Sequence, residues 1–361
     1  MHKTIKYLLF GLITVNVLYV LSGALTLPIT NIDAIGIWFF KAKAIYLEHG
    51  FPYIFLHNHN YLYSHQQYPL GFPFFTSFVY YLLGGIHEKL IFFIFPIIYT
   101  ITLILCYFIF KKIFNDILSL LFTYIFSMFS PLLAEGGRFA GQVDIFILLG
   151  NMLLAYILYT KKDISKYLWF VVLIIIISSQ IKVEGLFLSI FLLFIPLPLK
   201  KKTIGFFLSI TPFIFWEAVI YWQKIPTDLH YHLFSLAVLS LRFATIVIYV
   251  VKELFKLNNW YIFWILFILT LPFTKKSNKI IKRTILPFYL LMMVIFIGNY
   301  LFASYNTAAY VSSSFDRVLL QSIIWPYIIF SENINQLLKS IISANGKFLG
   351  SKQLNDILFK N

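Results

Sequence analysis

The sequence predicts an all-α polytopic membrane protein of about ten transmembrane helices, on three observations. Hydrophobic residues make up 60% of the 361 positions and charged residues only 12%, too few ionic groups to cover a soluble fold of this size. The apolar residues fall in runs of about 20, the length a helix needs to cross a bilayer. The Lys and Arg behind the net charge of +15 gather in short segments between those runs. That is how cytoplasmic loops are built, so the basic charge argues for a membrane and against nucleic acid as the partner.

Taken in order, two lysines before residue 7 precede an apolar run that ends at about Pro28. The run is long enough to span and lacks the small-residue cleavage site of a signal peptide, so it reads as the first span, with its N-terminus in the cytoplasm. Residues 30–88 then form an extracytoplasmic loop holding Pro52, Pro69, Pro73, His49, His57, His59 and His65. Within it, residues 69–85 are apolar but short and broken by Pro73 and glycines. They read as a juxtamembrane helix against the membrane face, because a span there would push Lys111 and Lys112 outside.

The second span, 89–110, ends at Lys111 and Lys112, and the third, 116–133, returns outward. The segment AEGGRFAGQVD, 134–144, is therefore an external loop, and the fourth span leads back to Lys161, Lys162 and Lys166. Spans five (167–181) and six (185–199) form a hairpin with its outer tip at 180–184, closed inside by Lys200, Lys201 and Lys202. Span seven covers 203–222. Residues 234–251 could span, but Lys275, Lys276, Lys279, Lys282 and Arg283 would then lie outside. Residues 223–259 are accordingly an external, membrane-apposed segment. Spans eight (260–273), nine (284–302) and ten (318–331) complete a transmembrane domain over 1–335, and 336–361 forms a polar cytoplasmic tail. The lone Cys106 excludes an internal disulfide and a cysteine metal site.

Most Lys and Arg fall inside in this topology, so the cations left outside need a local reason. Lys41, Lys43, Arg138, Lys182 and Arg317 lie beside helix ends, in the same loops as Asp33, Asp144, Glu184 and Asp316. A phosphate ligand is the natural reason. Asp33 is either a helix N-cap or a site carboxylate, and Asp144 either satisfies the first turn of span four or belongs to the site. Lys182 and Glu184 interrupt an apolar hairpin; two residues apart on a helix they would not face each other, so each is expected to have another partner. Arg317 opens span ten and favours a phosphate or carboxylate. Arg138, flanked by glycines, either cradles an anion or is a solvated loop arginine. His57 and His59 with His65 admit a divalent metal by spacing, but no carboxylate is fixed near them, which weighs against one. His65 and the nearby Tyr68 are the candidates from that stretch. No nucleotide-binding loop is present, so an activated substrate would arrive on a lipid.

The motifs DAxxxWxxKAKAxY (33–46), YPLGFP (68–73), QVD before span four, IKVEG (181–185) and RVLLQSIIWP (317–326) resemble, in this order, those of the GT-C superfamily of membrane glycosyltransferases. That superfamily includes the protein mannosyltransferases and aminoarabinose transferases. The resemblance implies a multi-pass enzyme, in bacteria of the inner or plasma membrane, working on the outward face. It implies inverting transfer from a polyprenyl-phosphate sugar to a lipid, glycan or protein acceptor, with no certain cofactor. Asp33 would be the general base and Asp144 a second site acid. Lys182 and Arg317 would hold the donor phosphate, with Lys41, Lys43, Arg138, Glu184, His65 and Tyr68 as further substrate-binding candidates. Such a displacement needs one base and cations for the leaving phosphate, rather than the paired carboxylates of glycoside hydrolysis. The chain differs from many members in having fewer spans and no large soluble C-terminal domain, which leaves the acceptor open. Two other readings remain. One is a polysaccharide polymerase or ligase leaning on Arg138 and Arg317; the other is a non-enzymatic glycolipid transporter or flippase.

Overall fold

The computed structural model describes residues 2–228 and 230–345, with side chains described as far as Ile341. Their regular structure is helical, with no strand among the described residues beyond two isolated bridges, Ala140 with Gln142 and Tyr231 with Ala303. Five helices are long and apolar enough to cross a membrane: His2–Thr26, Glu88–Phe110, Ile164–Ile181, Leu199–Gln223 and Ile281–Phe302. They fit a membrane-embedded protein. The first of them exposes Tyr7, Leu8, Phe10, Val15, Leu18 and Tyr19, a face that suits lipid and not water.

The expected third span is broken. Asp116–Ser127 and Ser130–Arg138 meet at 72° and make a sixth crossing only if the bent pair counts as one. Pro131 sits in the first turn of the second piece and has no N–H for the carbonyl of Ser127. The Tyr99 hydroxyl donates to that carbonyl instead, at 2.9 Å.

The other expected spans fall on shorter or divided elements. Asp144–Thr160 has 17 residues. The return limb of the hairpin is a 3-10 helix, Val183–Ile190, followed by one α-turn, Phe191–Phe194. Residues 260–273 divide between Phe263–Thr270 and the 3-10 segment Leu271–Lys276. In place of a helix opening at 318, Thr307–Ser322 runs almost directly into Ile324–Asn345. The second helix continues past residue 335, so the expected tail begins inside a helix; its residues 346–361 lie outside the described residues.

The segment from Ala134 is helical where a flexible loop was expected, turning as a wide π-helix through Arg138. Its glycines serve packing: a Cβ on Gly137 would stand 2.6 Å from the carbonyl oxygen of Val20 in the N-terminal helix. The helix Leu236–Leu254 is not among those apolar enough to cross. Arg242 anchors it by donating to the carbonyls of Tyr300, Leu301 and Ala303 at the end of Ile281–Phe302, where a cation suits the helix dipole.

Candidate active site

A cavity of about 540 Å³ opens where six segments meet. They are the residues after the N-terminal helix, the turn at His65–Tyr68, the start of Asp144–Thr160, the hairpin tip, the end of Ile281–Phe302 and the middle of Thr307–Ser322. Asp33, His65, Tyr68, Asp144, Lys182, Glu184 and Arg317 all line it, with Trp38, Asn299, Tyr300, Tyr305 and Tyr310. Seven of the ten residues expected from the sequence thus face one space.

Asp33 is not the N-cap. Asn31 takes that role, its side-chain oxygen accepting the Ala34 N–H at 3.0 Å, while Asp33 has helical backbone angles and makes no capping bond. Its carboxylate is left for the Arg317 guanidinium, which pairs with it across 284 residues of sequence. Arg317 sits inside the helix Thr307–Ser322 rather than at its start. Its Nε is buried and has no partner among the described residues.

The second charged cluster is deeper. Asp144 is 1% exposed. It takes the Lys182 ammonium at 2.7 Å and a bond from the Gln321 amide. Lys182 also reaches Glu184 at 3.1 Å, against the expectation that residues two apart would not meet. The reason is local: Lys182 is extended, with φ −151 and ψ 148, and in extended backbone i and i+2 lie on the same side. Gly185 permits this sharp entry, since a Cβ there would overlap the carbonyl of Ser178 at the end of the preceding helix. Burial works against the Lys182 charge, but Asp144 and Glu184 outweigh it and hold the ammonium above the ordinary lysine range.

The RVLLQSIIWP stretch explains itself on this geometry. Arg317, Gln321 and Trp325 are spaced by four residues, one face of a helix. Arg317 reaches Asp33 and Gln321 reaches Asp144. The Trp325 indole donates to Asn151 at 2.5 Å, and the Asn151 amide donates to the Gln321 carbonyl at 2.9 Å. The cavity therefore stands on a buried polar chain that runs between the helices carrying Asp144 and Arg317.

A third group closes the cavity on the side of the first loop. His65 has a left-handed backbone, φ 50, an uncommon state for a residue with a side chain and one that collects at functional sites. Its ring stacks on Tyr68 at 4.8 Å, and its Nδ1 lies 2.7 Å from Asp228. Gln67 and Tyr305 donate to Asp228. Burial opposes ionisation of Asp228, yet the bonds from His65, Tyr305 and Gln67 prevail and hold its carboxyl at about 2.

Three expected residues do not line the cavity. Lys41 is fully buried behind it; its Nζ donates to the His65 carbonyl at 2.6 Å and lies over the rings of Trp38 and Tyr68. Burial pulls its ammonium down to about 7, partly offset by Asp228. Lys43 is engaged by Glu88 at 2.7 Å. Arg138 is exposed and lies over the Phe139 ring, because the helical turn that buries its glycines points it outward. Among the described residues no group of three or more His, Cys, Asp and Glu is placed to hold a metal ion. Both ring nitrogens of His57 face carbonyl oxygens, Nδ1 that of Tyr53 at 2.8 Å and Nε2 that of Gln223 at 2.7 Å.

Sequence reasoning missed Asp228, Gln321, Asn151 and Glu135. Gln321 and Asn151 carried a signal, a lone amide inside an apolar segment, four residues after Arg317 and seven after Asp144. Glu135 is 2% exposed. Neither of its carboxyl oxygens has a partner among the described residues. It faces a second cavity of about 380 Å³ that shares Asn31, Gln142, Ser313 and Arg317 with the first.

No protein-family model, curated protein or solved structure matches the chain.

Proposed function

We propose that the chain is an inverting glycosyltransferase that moves a sugar from a polyprenyl-phosphate donor to a hydroxyl acceptor on the extracytoplasmic membrane face. The observation that carries this reading is the Asp33–Arg317 pair in the cavity wall, a base and an anion-binding cation held side by side. The cavity sets Asp33, Asp144 and Glu184 against Lys182 and Arg317. An incoming phosphate must therefore take a cation from a carboxylate. Taking Arg317 leaves Asp33 without its partner, next to the donor.

The chemistry then balances. The acceptor oxygen attacks the anomeric carbon, its proton passes to Asp33, and the bond from that carbon to the phosphate oxygen breaks. The lipid phosphate leaves as an anion on Arg317. The leaving group needs no proton, so one base suffices. Trp38, Tyr68 and His65 offer apolar faces to a sugar ring, and Asn299, Tyr300, Tyr310 and Ser314 line the cavity with groups that bond hydroxyls. Arg138, on which a polymerase would lean, is not in the cavity.

Membranes carrying the protein, supplied with a panel of labelled polyprenyl-phosphate sugars, are expected to release lipid phosphate and glycosylate an acceptor. Asp33→Asn should abolish transfer while leaving expression intact. Full activity in that variant would remove Asp33 from the mechanism.

A further inference from the structure

A second binding site is built at the opposite end of the N-terminal helix from the cavity. Lys6 lies twenty residues before Thr26 in that helix, a rise of about 30 Å, roughly the thickness of a bilayer's hydrocarbon core. There an apolar groove of about 770 Å³ runs between the N-terminal helix and the helices Glu88–Phe110 and Asp116–Ser127. Phe10, Ile13, Val17, Leu103, Ile104 and Phe108 form its walls.

Phe108 also lines a neighbouring pocket of about 460 Å³ of a different character, made by Lys111, Lys112, Tyr156, Thr160 and Lys161. Asp116, which follows the pair Lys111 and Lys112, is held by Lys6 at 2.5 Å and Lys111 at 3.0 Å. Lys161 lies over the rings of Tyr156 and Tyr167. Neither Lys112 nor Lys161 has an acidic partner among the described residues. An apolar trough that ends in cations without countercharge among the described residues complements a molecule with an acyl tail and a phosphate head.

We propose that this paired groove and pocket is a binding site for an anionic glycerophospholipid of the leaflet opposite the cavity, its tail along the N-terminal helix and its phosphate on Lys112 and Lys161. Orientation by positive charge alone would make the same lysines bind any anion and leave the groove indifferent to its occupant. The site is independent of the glycosyltransferase reading and stands or falls without it.

The test uses the full-length protein in detergent micelles, with unfolding followed by tryptophan fluorescence during titration with lipid. Phosphatidylglycerol should raise the melting temperature saturably, and phosphatidylcholine at equal concentration should not. Lys112→Gln with Lys161→Gln should weaken the apparent phosphatidylglycerol affinity about 30-fold, from about 1 kcal/mol for each lysine, while the melting temperature without lipid stays put. Val17→Trp, which fills the groove and leaves the lysines in place, should weaken it too. An equal response to phosphatidylcholine would overturn the proposal, as would an undiminished response in either variant. The same shift with inorganic phosphate alone would also overturn it, showing an anion site with no use for a tail.

Discussion

Replacing Lys182 by Met tests whether the deeper cluster is a working unit or a structural one. The ammonium is matched to Asp144 at 2.7 Å and Glu184 at 3.1 Å, with the Asp144 side chain 2% exposed and that of Lys182 9%. Removing the cation leaves two carboxylates facing each other, with the Gln321 amide and the nearby Arg317 charge to soften the charge on Asp144. Breaking a buried pair in this way costs about 3–5 kcal/mol, because the desolvation of the surviving ion is no longer offset. At about 1.4 kcal/mol for each factor of ten, the unfolding equilibrium should move by about two to four decades. Adding Asp144→Asn to Lys182→Met should return most of that loss, because the amide needs no countercharge. The single variant should also gain stability on acidification, as its stranded carboxylates protonate. The wild type should lack that part of the gain, since its lysine is held charged above the ordinary range and its contribution is lost only on raising the pH through that elevated value. Unfolding in detergent micelles, followed by tryptophan fluorescence at several pH values, reads all three. A Lys182→Met protein within about 1 kcal/mol of wild type, the scale of exposed pairs, or a double variant as unstable as the single one, would refute the reasoning.

Two further outcomes follow. Lys41 titrates at about 7 in the folded chain because burial disfavours its charge, against an ordinary value of 10.5. Between those two values the unfolded chain holds a proton that the folded chain does not, so stability should rise with pH across that window. Lys41→Met should remove this slope and stabilise the protein at and below neutral pH by at most about 5 kcal/mol; parallel pH curves for the two proteins would contradict the assignment. Gly185→Ala should destabilise by about 1–3 kcal/mol, because its Cβ meets the Ser178 backbone rather than a side chain able to move. An unchanged melting temperature would show that the hairpin tip is looser than drawn.

How much of this was legible depends on how far each residue's partner lay outside its own segment. Helical class followed from composition, and the residues that converge on the cavity were visible as ions at the ends of apolar runs. The errors came from treating each run as one continuous helix. Pro131 breaks the expected third span, and the extended Lys182 lets it reach Glu184, although a helix would have kept them apart. Arg138 read as either an anion cradle or a solvated arginine in a glycine loop, and its exposure fits the second; the loop itself was the error, because Gly137 is small so that the chain can touch Val20. Asp228 and Glu135 were opaque for another reason. Nothing in TDLHYH says that its acid meets His65 across 163 residues (228 − 65), and nothing in AEGGR says that its acid is buried.

The two charged clusters differ in how easily a ligand can open them, and this decides where an anion would enter. The pair of Arg317 with Asp33 is part-exposed, at 21% and 29% of the side chains, against 9% and 2% for Lys182 with Asp144. Solvent-reached pairs contribute about 0–1 kcal/mol, whereas parting a buried one costs about 3–5. A phosphate would therefore displace Asp33 from Arg317 long before it displaced Asp144 from Lys182, so the phosphate-holding role first given to both cations fits Arg317 better. Two variants should then respond differently. Arg317→Gln should weaken donor binding by roughly tenfold or more, since charge-assisted bonds contribute about 1.5–3 kcal/mol. Asp33→Asn should bind the labelled donor as tightly as wild type or tighter, because the phosphate no longer competes with a carboxylate, even though transfer is gone. Equilibrium binding of a labelled polyprenyl-phosphate sugar to the purified variants measures both. If Asp33→Asn weakened donor binding as much as Arg317→Gln did, the pair would be holding the site's shape, and the exchange at the heart of the mechanism would be wrong.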